Sequence, residues 1–271
     1  MLSVLNSVSQ LGAENALSST QASLQNTLLQ LSTGLKINSG SDDAAGLSIA
    51  AGLGASISAL TQSSQNAANG VGLLQTADGA LSQVTSLLNR AVTLATEASN
   101  GQLTTAQSTA ADTEYQSILS EITQIGSTTN FNGTAVFSAT PITTFTSDGT
   151  SAGTTTTSTT TGALSAASLL LTGDLTTVAK ATASLDAITA AIDTVSATRG
   201  TIGASVNQLT ADENVENTQV TNLTSAQNNV QNADIGKTVA KMTQYNVLQQ
   251  TGMAALSQSN QAQQAVLKLL Q

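Results

Sequence analysis

Residues 53–95 read LGASISALTQSSQNAANGVGLLQTADGALSQVTSLLNRAVTLA, with mostly apolar residues recurring alternately four and three positions apart and no break in register. This spacing puts one stripe along a helix that spans about 65 Å at about 1.5 Å per residue. The stripe, here called the first seam, consists of Leu53, Ile57, Leu60, Ser64, Ala67, Val71, Leu74, Asp78, Leu81, Thr85, Leu88, Val92 and Ala95. The second seam, with the same spacing, consists of Leu185, Ile188, Ile192, Val195, Arg199, Ile202, Val206, Leu209, Glu213, Glu216, Val220, Leu223, Gln227 and Val230. Each seam must be hidden against another helix.

The composition favours thin helical bundles over a thick globular core. Aromatic residues make up 2% of the 271 residues, there is no Trp, and charged residues make up 8%. Leu, Ile, Val and Ala are sufficient for the interior of a bundle. Because Ser, Thr, Asn and Gln replace most charges, much of the surface is neutral, which favours close contact between copies of the chain.

Charge and residue types exclude several functions. The net charge is −9 with seven Lys plus Arg, so no basic patch is available for nucleic acid. The absence of His and Cys removes the usual zinc ligands, thiol chemistry and the commonest general base. We expect no enzyme activity, no cofactor and no metal. The N-terminus has no basic residue before Lys36, and no stretch approaches the roughly 20 apolar residues of a membrane span. We therefore expect neither a cleaved secretory signal nor a membrane span.

Shorter segments complete a mainly α architecture. Leucines seven apart predict a first helix that ends near Ile37, and Asp42 and Asp43 in a turn cluster predict a cap for the helix from Ala44. We prefer this cap to a cation site. A third helix carries apolar residues on one face, and a final helix runs from Ile235 to Leu270. The third helix's apolar residues are Tyr115, Ile118, Leu119, Ile122 and Ile125.

The middle of the chain predicts a small β region. Asn132-Gly133 favours a tight turn, and short β-type runs follow at residues 135–137 and 142–145. Residues 147–162 are almost all Thr, Ser and Gly and predict an exposed loop, and residues 169–171 predict one more strand. The fold prediction is a long antiparallel coiled-coil helical bundle with a small β-hairpin region, folded back so that both termini lie at one end.

The chain resembles the bacterial flagellins over both ends and most of the sequence between them. LSTGLKINS at residues 31–39 and DDAAG at 42–46 are similar to the N-terminal signature of that family, and NFNG at 130–133 follows in family order. NLTSA at 222–226, VLQQTG at 247–252 and VLKLL at 266–270 are similar to its C-terminal signature.

The resemblance implies a structural subunit that polymerises into the flagellar filament for swimming motility. It implies export through the flagellar type III secretion channel, an extracellular location, and partners that include other copies, the flagellar cap and hook-associated proteins and an export chaperone. Within the same class, a hook-filament junction protein is the alternative. A zinc protease in the middle segment is excluded because that chemistry needs His, and a coiled-coil adaptor would not explain the ordered signatures.

The resemblance also divides the chain into layers. Residues 1–43 and 235–271 are expected to pair as the inner helices of the filament, disordered before assembly. Residues 44–137 and 177–234 are expected to form an outer helical bundle, and residues 138–176 a short variable tip. The residues expected to act in terminal-helix assembly are Leu17, Leu24, Leu28, Leu31, Leu35, Val239, Met242, Leu248, Leu267 and Leu270.

Two further sites follow from the resemblance. Arg90, Leu94 and Glu114 occupy positions that in similar flagellins contact neighbouring subunits and the host Toll-like receptor, although the sequence around Arg90 is less charged here. The alternative to a contact role is that Arg90 and Glu114 form a solvated pair near a buried Leu94. The middle segment offers an O-glycosylation region at Thr154, Thr155, Thr156, Thr157 and Ser158. Polar residues that interrupt the second seam are expected to set its register.

Overall fold

Five helices dominate the computed structural model, which describes residues 2–150 and 154–269 and the side chains of 8, 10–150, 155–262, 264 and 265. The helices are α1 (Leu2–Thr33), α2 (Ala44–Ser99), α3 (Thr105–Thr128), α4 (Val178–Gln231) and α5 (Ile235–Leu269). The strands are β1 (Asn130–Phe131), β2 (Thr134–Ala135), β3 (Ile142–Ser147) and β4 (Thr154–Thr159). The predicted mainly α fold with a small β region is confirmed.

The chain forms two compact units, whose boundaries fall inside α2 and α4. One unit comprises Met1–Gly54 with Leu223–Gln271, and the other comprises Ala55–Asn222. We call them the terminal unit and the central unit. The predicted layers placed their boundaries at the links between helices instead.

Both seams are hidden from solvent as the heptad spacing predicts. Every member of the two seams is buried or half-buried, including the polar ones. In the central unit, Leu74, Leu88, Ile188 and Ile202 are at most 1% exposed. These helices have no large aromatic core because the alternating Leu, Ile, Val and Ala side chains fill the space between them.

Helix α3 completes the core of the central unit. Its capping box pairs Thr104 and Gln107, whose side chains each bond the other's backbone N–H. Tyr115 and Ile122 on its inner face are fully buried, as predicted. The loop that contains Leu164 approaches α3 so closely at Gly126 that a Cβ there would lie 1.8 Å from the Leu164 carbonyl oxygen.

The predicted Asn-Gly turn is confirmed between β1 and β2. Asn132 and Gly133 both have positive φ, 50° and 78°, and the two strands pair antiparallel. This backbone is that of the turn type for which Asn-Gly is preferred. The second predicted β run is also confirmed, and it extends to Ser147 in β3.

The prediction of an exposed loop at residues 147–162 is wrong for its second half. Strand β4 pairs antiparallel with β3, with Thr144 opposite Thr157. Thr144 is 8% exposed and Thr157 is 7% exposed, so their face of the hairpin is covered. Threonine is β-branched and favours extended backbone, and its methyl group tolerates burial once the hydroxyl has a partner.

The prediction of a strand at residues 169–171 is also wrong. These residues form a turn, in which the Leu171 N–H donates to the Ala166 carbonyl at 2.8 Å and Leu170 has φ of 59°. Leu169 and Leu171 are 9% and 2% exposed, whereas Leu170 is 77% exposed. The alternation resembles a strand, but two leucines here anchor a turn in the core of the central unit.

Candidate assembly surfaces

The two terminal helices pair antiparallel within the terminal unit. The Gln10 Nε2 donates to Asn260 Oδ1 at 2.8 Å near one end of the pair. Further along, a Cβ on Gly252 would lie 3.3 Å from Leu17 Cδ1, so a larger residue at this position would press on Leu17. Gly252 thus serves close helix packing, although glycine weakens helices.

The outer faces of these two helices remain strongly apolar. Large hydrophobic side chains that are 39–64% exposed lie on both α1 and α5. They are Val8, Leu11, Leu28, Leu29, Ile235, Val239, Val247, Leu248 and Met253. By contrast, Leu24 is 9% exposed on the inner face of α1. A two-helix pair buries too little to stabilise itself, and an apolar surface of this extent is typical of an interaction site.

The residues predicted for terminal-helix assembly fall into distinct environments. Leu24 is buried. The half-buried residues are Leu17, Leu31, Leu35 and Met242. The exposed residues are Leu28, Val239 and Leu248. The side chains of Leu267 and Leu270 lie outside the described residues.

Several exposed apolar residues were missed by the heptad reasoning. Val8, Leu11, Leu29, Val247 and Met253 lie away from the strict seven-residue spacing used for the terminal helices. Their signal in the sequence is the presence of apolar residues on more than one face of a helix. Such a helix needs partners on more than one side.

The start of α2 adds a further apolar surface. Helix α2 contains an 18-residue stretch of mean hydropathy 1.5, of which 17% is buried. By length and composition alone this stretch could cross a membrane, so the expectation that no segment approaches that limit is wrong. Ile49 is 56% exposed, and the neighbouring exposed residues Ala45, Ser48 and Ala51 are small. Small side chains of this kind allow another helix to approach closely.

Backbone hydrogen bonds in the terminal unit join the segment after α1 to the last residue of α4 and the segment between α4 and α5. The Lys36 N–H donates to the Gln231 carbonyl at 2.7 Å, and the Ala233 N–H donates to the Gly34 carbonyl at 2.8 Å. These bonds join the link after α1 to the end of α4. They position the start of α5 beside the end of α1.

Asp43 forms the predicted cap of α2, whereas Asp42 bonds the turn that precedes the helix. Asp43 Oδ1 accepts from the Gly46 N–H at 2.9 Å, while Asp42 Oδ2 accepts from the Asn38 and Ser39 N–H groups at 3.0 and 2.9 Å. The bonds from Asn38 and Ser39 hold the pKa of Asp42 below its ordinary value. Within the described residues, no group of three or more acidic side chains could hold a metal ion.

Arg90 and Glu114 form a bidentate ion pair between α2 and α3. The Nε–Oε1 distance is 2.7 Å and the Nη2–Oε2 distance is 3.0 Å, with both side chains about half exposed. The bond with Arg90 lowers the pKa of Glu114, and the same contact raises the pKa of Arg90. Leu94 is 3% exposed and belongs to the core, so of the three residues predicted to make contacts only Arg90 and Glu114 have exposed side chains.

Polar residues that interrupt the second seam have polar partners on α2. In the central unit, Arg199 Nε lies 2.7 Å from Asp78 Oδ1, so one interruption of the second seam lies opposite one of the first. Glu216 accepts a hydrogen bond from Ser63, which lies next to the first seam on α2. Within the terminal unit, Gln227 Nε2 donates to the Ala50 carbonyl at 3.2 Å.

The proposed glycosylation segment is part of β4. Thr155, Thr156 and Ser158 are exposed, whereas Thr157 is buried and accepts a hydrogen bond from Gln208 Nε2. The side chain of Thr154 lies outside the described residues. Thr157 is therefore inaccessible to modification in the folded chain.

Comparison with known proteins accounts for both ends of the chain. The family described as "Bacterial flagellin N-terminal helical region" matches residues 4–141, and "Bacterial flagellin C-terminal helical region" matches residues 185–270. The chain belongs to the bacterial flagellin family. It is a structural subunit of the extracellular flagellar filament, and the alternative of a junction protein is not favoured.

Relatives and a solved structure agree with this membership. A flagellin of Halalkalibacterium halodurans is 36% identical over 249 residues, covering 91% of each chain. A flagellin of Listeria monocytogenes is 30% identical over 262 residues, covering 89% of this chain and 90% of the relative. The crystal structure of Bacillus cereus flagellin matches with a TM-score of 0.51 at 29% identity, covering 60% of this chain and 94% of that one.

Proposed function

We propose that the exposed apolar faces of α1 and α5 are the surfaces through which subunits join in the filament. The observation that carries this proposal is the contrast between the two units. Among the described residues, nine large apolar side chains on α1 and α5 are 39–64% exposed, whereas the longer central unit has four exposed large apolar side chains and buries or partly buries the others, such as Leu74 and Ile188. Other copies of the chain supply the missing cover. Residues 1–43 and 235–271 thereby form the inner layer, and residues 44–137 and 177–234 the outer bundle.

The exposed start of α2 offers a second apolar surface. Ile49 and the small residues beside it offer an apolar strip to a neighbouring subunit, which explains why a filament subunit carries a stretch apolar enough for a membrane. The chain's neutral polar residues suit this purpose, because contacts between copies then desolvate few charges.

Seeded polymerisation tests the proposal. Purified chain is mixed with short filament fragments, and electron microscopy measures growth. A protease time course before and after growth should show rapid trimming of both ends in the free chain and protection in the polymer. Failure to extend seeds, together with ends that resist protease in the free chain, would refute the assembly role.

We further propose export of the unfolded chain through the flagellar type III channel without a cleaved signal. A chaperone that covers the apolar ends before export, and cap and hook-associated proteins that contact them afterwards, are the corresponding partners. The intact mass of the secreted protein tests the first point, because cleavage would remove residues from the N-terminus. The same mass tests O-glycosylation of Thr155, Thr156 or Ser158, since each sugar adds mass.

Arg90 and Glu114 are proposed as a contact for neighbouring subunits or the host Toll-like receptor. Their ion pair offers an exposed charged surface on a protein in which charged residues make up only 8% of the chain. Purified free chain and an Arg90→Ala variant are compared on receptor-bearing cells, with seeded polymerisation as the second readout. Equal signalling and equal polymerisation by both proteins would remove the proposed role.

A further inference from the structure

Glu216 is a buried carboxylate in the second seam of the central unit. Its side chain is 7% exposed, and its Oε1 accepts a hydrogen bond from Ser63 Oγ at 2.5 Å. Its other oxygen, Oε2, is buried and has no hydrogen-bond partner among the described residues. An unpaired buried carboxylate oxygen is unfavourable when it carries charge, so this position requires an explanation.

The same contact reaches the β region. While Ser63 Oγ donates to Glu216, it accepts from the Ser147 N–H at 2.9 Å. Ser147 is the last residue of β3, Ser63 lies on α2 and Glu216 lies on α4. One serine hydroxyl therefore joins both long helices to the end of the β3–β4 hairpin. We refer to Glu216, Ser63 and Ser147 as the hairpin latch.

All the charged side chains described near Glu216 are acidic. A pocket of about 210 Å³ beside Glu216 is lined by Asp212 from α4 and Asp148 from the turn after β3, with Leu60 from α2. Glu213 is a further acidic neighbour on α4, and no Lys or Arg lines the pocket. Burial raises the pKa of Glu216 most, and Asp212 and Glu213 add to that rise, while the Ser63 bond opposes it.

The charge on Glu216 can be removed by a bound metal ion or by a proton. No three acidic side chains among the described residues are arranged to hold a metal ion. A proton on Glu216 needs no such arrangement. We propose that Glu216 is a proton-controlled switch: the neutral carboxyl holds the β3–β4 hairpin on α2 and α4, and the ionised carboxylate loosens it.

The direction of the pH dependence follows from the burial of the charge. The closed latch favours the protonated form, so it is most stable below the pKa of Glu216 in the unfolded chain. Its stability falls as the pH rises toward the raised pKa of the folded chain, and the full loss is reached above that value. Across this pH range, the equilibrium constant for opening of the hairpin rises about tenfold for each pH unit that separates the two pKa values.

Amide hydrogen exchange at Ser147 tests the switch in the full chain. After correction for the intrinsic exchange rate, protection of the Ser147 amide should fall as the pH is raised from below the ordinary glutamate pKa through the raised pKa of Glu216. In Glu216→Gln the side-chain oxygen still accepts from Ser63 but cannot ionise, so the protection should stay constant. Glu121→Gln, at an exposed position on α3, removes the same charge and should retain the pH dependence of the unmodified chain. An equal pH trend in the unmodified chain and Glu216→Gln would overturn the proposal.

A measurement on the unmodified chain covers the case in which Glu216→Gln does not fold. The carboxyl carbon of Glu216 is followed by NMR through a pH titration. Its midpoint should lie above the ordinary pKa of a glutamate, and the chemical shift of the Ser147 amide should change with the same midpoint. A Glu216 midpoint at or below the ordinary value, or a Ser147 amide shift that does not change with it, would overturn the proposal.

Discussion

Truncation of one exposed leucine measures how much the apolar face of α1 contributes to the free energy of assembly. Leu28 is 47% exposed, so assembly has about half of its side chain left to bury. Complete burial of a leucine contributes about 1.5–3 kcal/mol, and half of that is about 1 kcal/mol. We therefore expect Leu28→Ala to raise the critical concentration for seeded polymerisation about fivefold.

Leu24, one helical turn before Leu28, provides a matched comparison for the Leu28→Ala variant. Leu24 is 9% exposed on the inner face, so Leu24→Ala should weaken the α1–α5 pair itself. Buried leucines cost about 2 kcal/mol or more on truncation, which corresponds to about a thirtyfold rise in critical concentration. This variant should also leave α1 more sensitive to protease within the polymer. Leu28→Ala should not have that second effect.

The assay is sedimentation of seeded polymer across a range of subunit concentrations. Gln25→Ala, an exposed polar position on the same helix, serves as the control for changes in helix propensity. Thermal unfolding of the central unit should be the same in all variants. If Leu28→Ala and Gln25→Ala had equal critical concentrations, the exposed face of α1 would not be buried on assembly, and the argument from exposure would be refuted.

Further predictions concern the central unit. Gly126→Ala should lower the urea midpoint of unfolding, by about 3 kcal/mol in stability, because the new methyl group would collide with the Leu164 carbonyl. Thr104→Ala removes the cap of α3 and should cost about 1 kcal/mol, seen as a melting temperature about 3 °C lower. The bond from Lys180, followed by the bonds from Thr176, lowers the pKa of Asp174 to about 2, so the contribution of Asp174 to stability is present above about pH 4 and is lost as the pH falls toward 2. Asp174→Asn should remove that part of the acid dependence of unfolding, and an unchanged acid dependence would contradict it.

The helices could be predicted because their signals are local and periodic. Asn100-Gly101 marks the end of α2, and the structure ends that helix at Ser99, with Gly101 at φ of 72°. The aspartates before Ala44 predicted its start equally well. The end of α1 was predicted four residues late because Leu35 continues the apolar spacing, although Gly34 at φ of 74° has already ended the helix.

The β region was harder to predict because its pairing depends on distant residues. Nothing within residues 154–159 indicates that Thr157 is buried, since Gln208, its hydrogen-bond donor, lies on α4. A Cβ on Gly70 would lie 2.5 Å from Thr144 Oγ1, so close approach of the hairpin to α2 depends on a glycine far from either strand. Low complexity was therefore misleading, because a threonine strand becomes ordered once helices cover one face.

The assembly surface could be predicted only in part, because it too depends on residues that are distant in the sequence or belong to another chain. Heptad spacing identifies residues that face a helix partner, but it does not state whether that partner belongs to the same chain. Leu24 and Leu28 look equivalent in the sequence, yet one faces α5 and the other faces solvent. Their difference depends on the rotation of α1 within the pair. The structure supplies this rotation.

The ion pair between Asp78 and Arg199 determines the register of α2 against α4 more than it contributes to stability. The side chains of Asp78 and Arg199 retain 42% and 37% of their exposure to solvent, and ion pairs this accessible contribute about 0–1 kcal/mol. A slip of one heptad between α2 and α4 would place Arg199 opposite Val71 or Thr85 and leave Asp78 against an aliphatic residue. The slipped state would bury parts of two charges without partners, which costs more than the correct pair contributes. Repetitive seams of Leu, Ile, Val and Ala permit such slips, so a weak pair at this position selects a single alignment of the long helices.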